Sequence, residues 1–415
     1  MDPKIVSNLE NEVQEKLNWL GEFGKDPEGG VSRLLYSKEW IEAQKSLEQL
    51  FKDEGLAVQF DEVGNLFGRL EGTTKKDETI LTGSHVDTVK NGGLYDGQYG
   101  IIAGFLALKY LKENYGAPLR NIEVVSMAEE EGSRFPYSFW GSKNIVGQAK
   151  NEDVKGIKDF EGIPFDDAIH QAGFDYRQNP EQVRDDLKTF IELHVEQGNV
   201  LEVEKKDVGI VQHIVGQRRY TVTVQGEANH AGTTPMGYRK DAANAVSRMV
   251  CAINDAAVAE GDPLVATVGK IILEPNTVNV VPGKATFTMD IRHTEKGALV
   301  EFADQVEVKL REIAGNLGVQ IDIDLWMDAD PVPMDPDVVK VLQEQCDKND
   351  LNYKMMHSGA GHDSQNIAPV IPTAMIFVPS HKGISHSPNE YTNPKQLAEG
   401  VNALICALYE LGYKA

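Results

Sequence analysis

The stretch Thr82-Gly-Ser-His-Val-Asp-Thr-Val-Lys-Asn-Gly-Gly-Leu-Tyr-Asp-Gly-Gln-Tyr-Gly100 decides how the chain is read. It follows Thr79-Ile-Leu-Thr82, which reads as the end of a buried strand, and precedes an apolar helical pattern from Ile101. Between the two lie His85, Asp87 and Asp96 in a glycine-rich loop. Loops at the carboxyl ends of strands in α/β sheets are where ligands commonly bind. His-x-Asp suits a metal ligand and its orienter: one imidazole nitrogen binds the ion and the other donates to the carboxylate. Asp96 is near enough in the chain to add an oxygen ligand. The plainer alternative is a hydrogen-bonded loop that holds no ion.

The same arrangement recurs further along. Ile122-Glu-Val-Val-Ser-Met-Ala128 reads as a strand that runs into Glu129, Glu130 and Glu131, and Phe190-Ile-Glu-Leu-His194 reads as a strand ending in a histidine. Three adjacent carboxylates after an apolar strand would repel one another without a cation. His85, Asp96, Glu131, His194 and His386 therefore form a candidate ligand set. A mixed histidine and carboxylate set suits zinc, manganese or a similar ion, and five ligands suit two ions that share one carboxylate. Such a pair activates a water and polarises a carbonyl, and Glu130 would be the general base.

Strands alternating with helices predict an α/β catalytic domain with a mostly parallel sheet. Its helices include Asn8–Gly24 and one N-capped by Ser37, with Trp40, Ala43, Leu47 and Phe51 on the apolar face. From residue 213 the order becomes β-α-β-β-α-β, the pattern of a ferredoxin-like α+β unit. Asp328-Ala-Asp-Pro-Val-Pro-Met-Asp-Pro336 reads as a linker. The expected division is a catalytic domain of residues 1–212 and 328–415, interrupted by an inserted domain of residues 213–327.

Composition narrows the function. The 415 residues carry 64 acidic against 41 basic side chains, a net charge of −23, which argues against nucleic acid or an anionic membrane as partner. The polar stretch Met1–Glu10 does not read as a signal peptide, and no apolar run is long enough to span a membrane. Cys251, Cys346 and Cys406 lack metal-type spacing and read as reduced core residues in a cytoplasm.

The motifs Gly-Ser-His-x-Asp-Thr-Val, Asn-Gly-Gly-x-x-Asp-Gly, Glu-Glu-Gly-Ser-Arg-Phe, His-x-Glu-Gln-Gly, Gly359-Ala-Gly-His-Asp363 and Ser385-His-Ser-Pro388 carry a resemblance that covers nearly the whole chain. Together they resemble the dinuclear aminoacylase and carboxypeptidase-like metallohydrolases, in their carbamoyl-amino-acid amidohydrolase branch. The resemblance implies that Asp96 bridges two ions, Mn2+ or Zn2+. His85 and His194 would complete one site, and Glu131 and His386 the other. Asp87 would orient His85, and Glu130 would be base and proton shuttle. The inserted domain would be a lid and dimerisation domain of a homodimer. His230, Asn279 and Arg292 from that domain would hold the substrate. Arg134–Lys143, Val215–Tyr220 and Asn276–Lys284 resemble the allantoate-hydrolysing members of the branch, which implies allantoate as substrate. The rivals are N-carbamoyl-L-amino acids and dipeptides.

Independently, His230 could donate to an oxyanion, and Arg292 at a strand end could grip a carboxylate. Gln217 and Arg219 lie two apart on a strand and share a face. They are the candidates for a ureido or carboxylate group. His362 and Asp363 are candidates to support the site or its substrate loop. His170, His213, His293, His357 and His381 read as surface or structural.

Overall fold

The computed structural model describes residues 3–415. Met1 and Asp2, at the start of the polar N-terminal stretch, lie outside the described residues. The chain divides into two compact units, one reaching to Gln212 and resuming from Pro333 to Ala415, the other His213–Val332.

Among the described residues, a sheet of nine strands organises the first unit. Lys75–His85 lies parallel to Arg120–Met127 on one side and to Leu187–Val195 on the other. Thr373–Val378 continues the parallel set beside Leu187–Val195. These strands are buried almost without interruption, as both faces of a parallel sheet must be when helices cover them. Their register aligns the chain ends that matter: His85 opposes Met127, and His194 opposes Phe377. The segments bearing the expected ligands thus leave the sheet at one edge. Antiparallel strands Leu66–Leu70 and Val208–Ile214 flank the parallel set.

Helix Gln98–Tyr115 begins directly after the Asp96 loop and packs on the sheet through glycine. A Cβ on Gly100 would lie 2.5 Å from the Leu193 carbonyl oxygen, and one on Gly104 would lie 2.9 Å from Val124. Helix Lys38–Asp53 starts at Ser37, whose hydroxyl accepts the Trp40 N–H at 3.2 Å. The buried Trp40 indole in turn donates to the Ala128 carbonyl at 2.8 Å, fixing the turn that presents the three glutamates.

The second unit is a five-stranded antiparallel sheet with helices Ala242–Glu260 and Lys296–Leu317. Strand Lys284–His293 alternates strictly between half-buried and buried residues. Its buried side chains join Tyr220, Val222 and Val224 in the core beneath the helices, as a sheet covered on one face requires. The linker expected from Asp328 is corrected here. Strand Gln320–Ala329 continues past Trp326, with a bulge between Leu325 and Met327 that interrupts the alternation. Asp328 pairs with Arg218 at 2.9 Å, and Asp335 caps helix Pro336–Lys348. Of the three cysteines, Cys346 is buried but Cys251 is exposed on its helix, contrary to the core reading.

Arg33, between helices Pro3–Gly21 and Lys38–Asp53, is fully buried. Its guanidinium donates to the carbonyls of Phe23 (2.9 Å) and Val86 (3.1 Å), to Gln98 Oε1 (3.0 Å), and to Leu20. Burial lowers it to about 9. It closes the end of helix Pro3–Gly21 and ties it to the Asp87 to Asp96 loop. Arg33→Met leaves these buried carbonyls unpaired, so a loss of about 3 kcal/mol in urea unfolding is expected. A loss below about 1 kcal/mol contradicts this role.

Candidate metal centre

The loops leaving the four parallel strands bring His85, Asp87, Asp96, Glu130, Glu131, His194 and His386 together. Asp96 is central and nearly buried. Its Oδ1 lies 3.4 Å from His85 Nε2 and 3.2 Å from His194 Nε2. Its Oδ2 lies 3.2 Å from His386 Nε2, which is also 3.4 Å from Glu131 Oε1. Two three-residue donor groups therefore share one carboxylate: His85, Asp96 and His194, and Asp96, Glu131 and His386. The donor atoms of each lie within 4.8 Å of one another, and those of His85, Glu130 and Glu131 form a third such group.

The backbone explains how the loop achieves this. Gly97 adopts φ +71°, and a Cβ there would stand 2.4 Å from the His85 ring. Only glycine lets the chain turn so tightly against the imidazole. The Gly97 N–H points at His194 Nε2 at 3.1 Å. His386 holds its position with φ +53°, an uncommon conformation for a residue with a side chain.

Asp87 does more than face one ring. Its Oδ1 lies 3.2 Å from His85 Nδ1, which also approaches the Asp87 carbonyl at 3.1 Å. Its two carboxylate oxygens accept the backbone N–H groups of Glu130 and Glu131, at 2.9 and 3.2 Å. One side chain thus orients a histidine and clamps the glutamate turn. His194 is oriented the same way, with Nδ1 2.9 Å from the Val195 carbonyl. Glu129 belongs to the turn itself, since its carboxylate accepts the N–H of Trp140 (3.0 Å) and of Gly132.

The electrostatics are those of crowded carboxylates. Burial and then the Asp96 charge push Glu131 up to about 8. Burial and then the Glu131 charge hold Glu130 well above the usual carboxylate range. Burial opposes ionisation of Asp96 as well, but hydrogen bonds from His194, His386 and His85 hold it well below that range. The Asp96 hydrogen bond raises His386 to about 9. The buried Oε1 of Glu131 accepts no hydrogen bond. Unpaired carboxylate oxygen beside imidazole nitrogens is a donor set that a divalent ion would satisfy. The group can hold a metal ion, and the His386 side chain is half exposed at its outer edge.

Further side chains, among them the expected His362 and Asp363, complete the first-unit group. Gln197 Nε2 donates to Asp96 Oδ2 at 2.8 Å, and Ser385 Oγ lies 3.1 Å from the same oxygen. The His362 ring is buried edge-on to His194, 4.6 Å between centroids, with Nε2 3.0 Å from Ser358 Oγ. Glu192 accepts from Ser84 Oγ (2.8 Å) and Ser364 Oγ (2.6 Å), joining two strand ends to the loop of buried Asp363. Among these, Ser84, Gln197, His362, Asp363 and Ser385 lie within the motifs, whereas Glu192, Ser358 and Ser364 do not.

The second unit holds its own candidates in two places. His230 and Asn279 meet on a short antiparallel ribbon, where Ala231 N–H donates to the Asn279 carbonyl at 2.9 Å. Gln217 pairs with Arg292, and Arg219 with Asp290, across adjacent strands. Asp290 receives both arginines, Arg219 at 2.8 Å and Arg292 at 2.9 Å. His293 turns away, accepting the Glu295 N–H at 2.9 Å, and His381 pairs with Glu202 at 2.6 Å.

The family model described as peptidase family M20/M25/M40 matches residues 81–410. An allantoate amidohydrolase of Escherichia coli (strain K12) is 54% identical, covering 99% of this chain and 100% of its own length. An allantoate amidohydrolase of Bacillus subtilis (strain 168) is 46% identical over 98% of each. The solved structure of a hydantoinase/carbamoylase family amidase from Burkholderia multivorans superposes with a TM-score of 0.91 and 32% identity, covering 96% of this chain and 97% of that one.

The titrations set a pH dependence for the ion-free protein. Glu131 is raised from 4.5 to about 8, so its ionisation on unfolding removes stability as pH rises through that window. His386 is raised from 6.5 to about 9, so its stabilisation, full below 6.5, is lost as pH rises through 9. Both changes weaken the ion-free fold in the same direction, and a bound cation would displace those protons. The melting-temperature gain on adding Mn2+ or Zn2+ is therefore expected to grow from about pH 5.5 to pH 8, reaching about 5 °C or more. A gain that is absent, or constant across that range, contradicts this electrostatic account.

Proposed function

The chain belongs to peptidase family M20/M25/M40, and we propose that it hydrolyses allantoate to ureidoglycine, ammonia and carbon dioxide. It is a hydrolase of carbon–nitrogen bonds with a small-molecule substrate. The observation that carries the substrate assignment is identity of 54% and 46%, over nearly the full chain, to two allantoate amidohydrolases. The reading extends to two divalent ions, Mn2+ or Zn2+. His85, His194 and Asp96 would hold one, and Glu131, His386 and the other Asp96 oxygen the second. When bound, the ions would polarise the ureido carbonyl and make water a stronger nucleophile.

The side chains supply the rest. Glu130 stands beside His85 and Glu131, with its carboxyl raised by burial and by Glu131. It is suited to take a proton from the attacking water and hand it on. Water adds to the ureido carbon, and the bond from that carbon to the nitrogen on the substrate's central carbon breaks. Glu130 protonates that leaving nitrogen, which departs as ureidoglycine. The carbamate left behind breaks down to ammonia and carbon dioxide. Arg292 is assigned the substrate carboxylate, and Gln217 with Arg219 a ureido group. His230 is assigned the oxyanion, where hydrogen-bond donors act most strongly, and Asn279 a further contact to the substrate. A homodimer formed through the inserted unit, acting in the cytoplasm, completes the proposal. Among the described residues, no helix is long and apolar enough to cross a membrane.

A substrate panel of allantoate, N-carbamoyl-L-amino acids and dipeptides, assayed for ammonia or amine release with added Mn2+ or Zn2+, tests the assignment. Allantoate is expected to dominate, and preference for a carbamoyl amino acid or dipeptide contradicts it. In the same panel Arg219→Leu should lower allantoate turnover; unchanged turnover removes Arg219 from recognition. Glu130→Gln should cut kcat by about 100-fold or more while metal uptake persists. Near-native kcat in that variant assigns the proton transfer elsewhere.

A further inference from the structure

Glu390 has no part in the chemistry above, yet it is built into the metal-bearing loops. It lies in the segment that carries His386, and its side chain is buried, 5% exposed. Oε2 accepts the backbone N–H groups of Tyr95 at 2.9 Å and Asp96 at 3.2 Å. Oε1 accepts the Ser385 hydroxyl at 3.0 Å. Gly93 leaves room for this carboxylate, since a Cβ at Gly93 would lie 2.0 Å from Oε2. One side chain therefore joins two loops 294 residues apart in sequence. These loops bring Asp96 and His386 to the same place.

The Ser385 hydroxyl has a single proton and two acceptors in reach. One is Glu390 Oε1; the other is Asp96 Oδ2, at 3.1 Å. Asp96 Oδ2 is the oxygen that faces His386. Gln197 Nε2 already donates to it at 2.8 Å, so a second hydrogen bond, from Ser385, would compete with a cation for the remaining lone pair. The Glu390 carboxylate offers the serine proton another place to go.

We infer that Glu390 is a positioning residue that keeps Asp96 Oδ2 available to the ion on the Glu131 and His386 side. It does so by holding the Tyr95 and Asp96 backbone and by drawing the Ser385 proton away from Asp96. The inference rests on the two-ion reading of the centre. Replacing one oxygen with an amide tests it closely. In Glu390→Gln the amide oxygen keeps the backbone contacts, while the amide nitrogen, which can only donate, faces Ser385. The serine then accepts from the amide and turns its own proton onto Asp96.

The experiment is calorimetric titration of the ion-free full-length protein with Mn2+. Wild type is expected to take two ions. Glu390→Gln should bind one ion normally and the other about 10- to 100-fold more weakly. Adding Ser385→Ala to that variant removes the competing proton and should restore most of the lost affinity. Ser385→Ala alone should change neither affinity by more than about threefold, and this arm stands even if Glu390→Gln fails to fold. Native affinities in Glu390→Gln, no rescue in the double variant, or tenfold tightening in Ser385→Ala alone would each overturn the inference. Uptake of fewer than two ions by wild type would instead overturn the two-ion reading, and this inference with it.

Discussion

Asp96 offers one oxygen to His85 and His194 and the other to His386, inside a group that also contains Glu130 and Glu131. Several carboxylates so close together, mostly out of water, cannot all ionise without positive charge nearby. In the ion-free protein the imidazoles hydrogen-bonded to Asp96 offset this, holding Asp96 low and His386 high. A divalent cation supplies it more effectively, because it binds lone pairs that protons otherwise occupy. The stability of the ion-free fold and its readiness to bind metal therefore come from the same charges.

The scaffold exists to hold that crowding still. Four parallel strands end in register, so that loops of unrelated sequence meet over one edge of the sheet. Each loop is then fixed by bonds that are not themselves ligands. Asp87 clamps the glutamate turn, the Trp40 indole holds Ala128, and Arg33 anchors the segment around Val86 and Gln98. Glycine appears where a side chain would strike the centre, as at Gly97 beside His85. Such support keeps ligands within the narrow geometry that metal chemistry requires.

Much of this could be read before any coordinates. His85, Asp87, Glu130, Glu131 and His194 each follow an apolar run that ends abruptly, and strand ends are local features of sequence. The mostly parallel sheet was legible for the same reason: its strands are continuous apolar runs separated by helical periods. What stayed hidden depends on distant partners. Glu390 matters because of Tyr95, Asp96 and Ser385, and nothing in its own neighbourhood records the contact with Asp96. Arg33 sits in a stretch of turn residues with no periodicity to mark it as buried. The end of strand Gln320–Ala329 is masked in the sequence because the bulge at Leu325 and Met327 breaks the alternation before the strand ends. The prolines and aspartates that follow then look like a linker.

Anomalous-scattering diffraction from crystals of the Mn2+-loaded protein addresses the shared carboxylate most directly. Two peaks are expected, one beside each Asp96 oxygen, with His85 and His194 on the first ion and Glu131 and His386 on the second. A single peak, or peaks that do not share Asp96, would contradict the account.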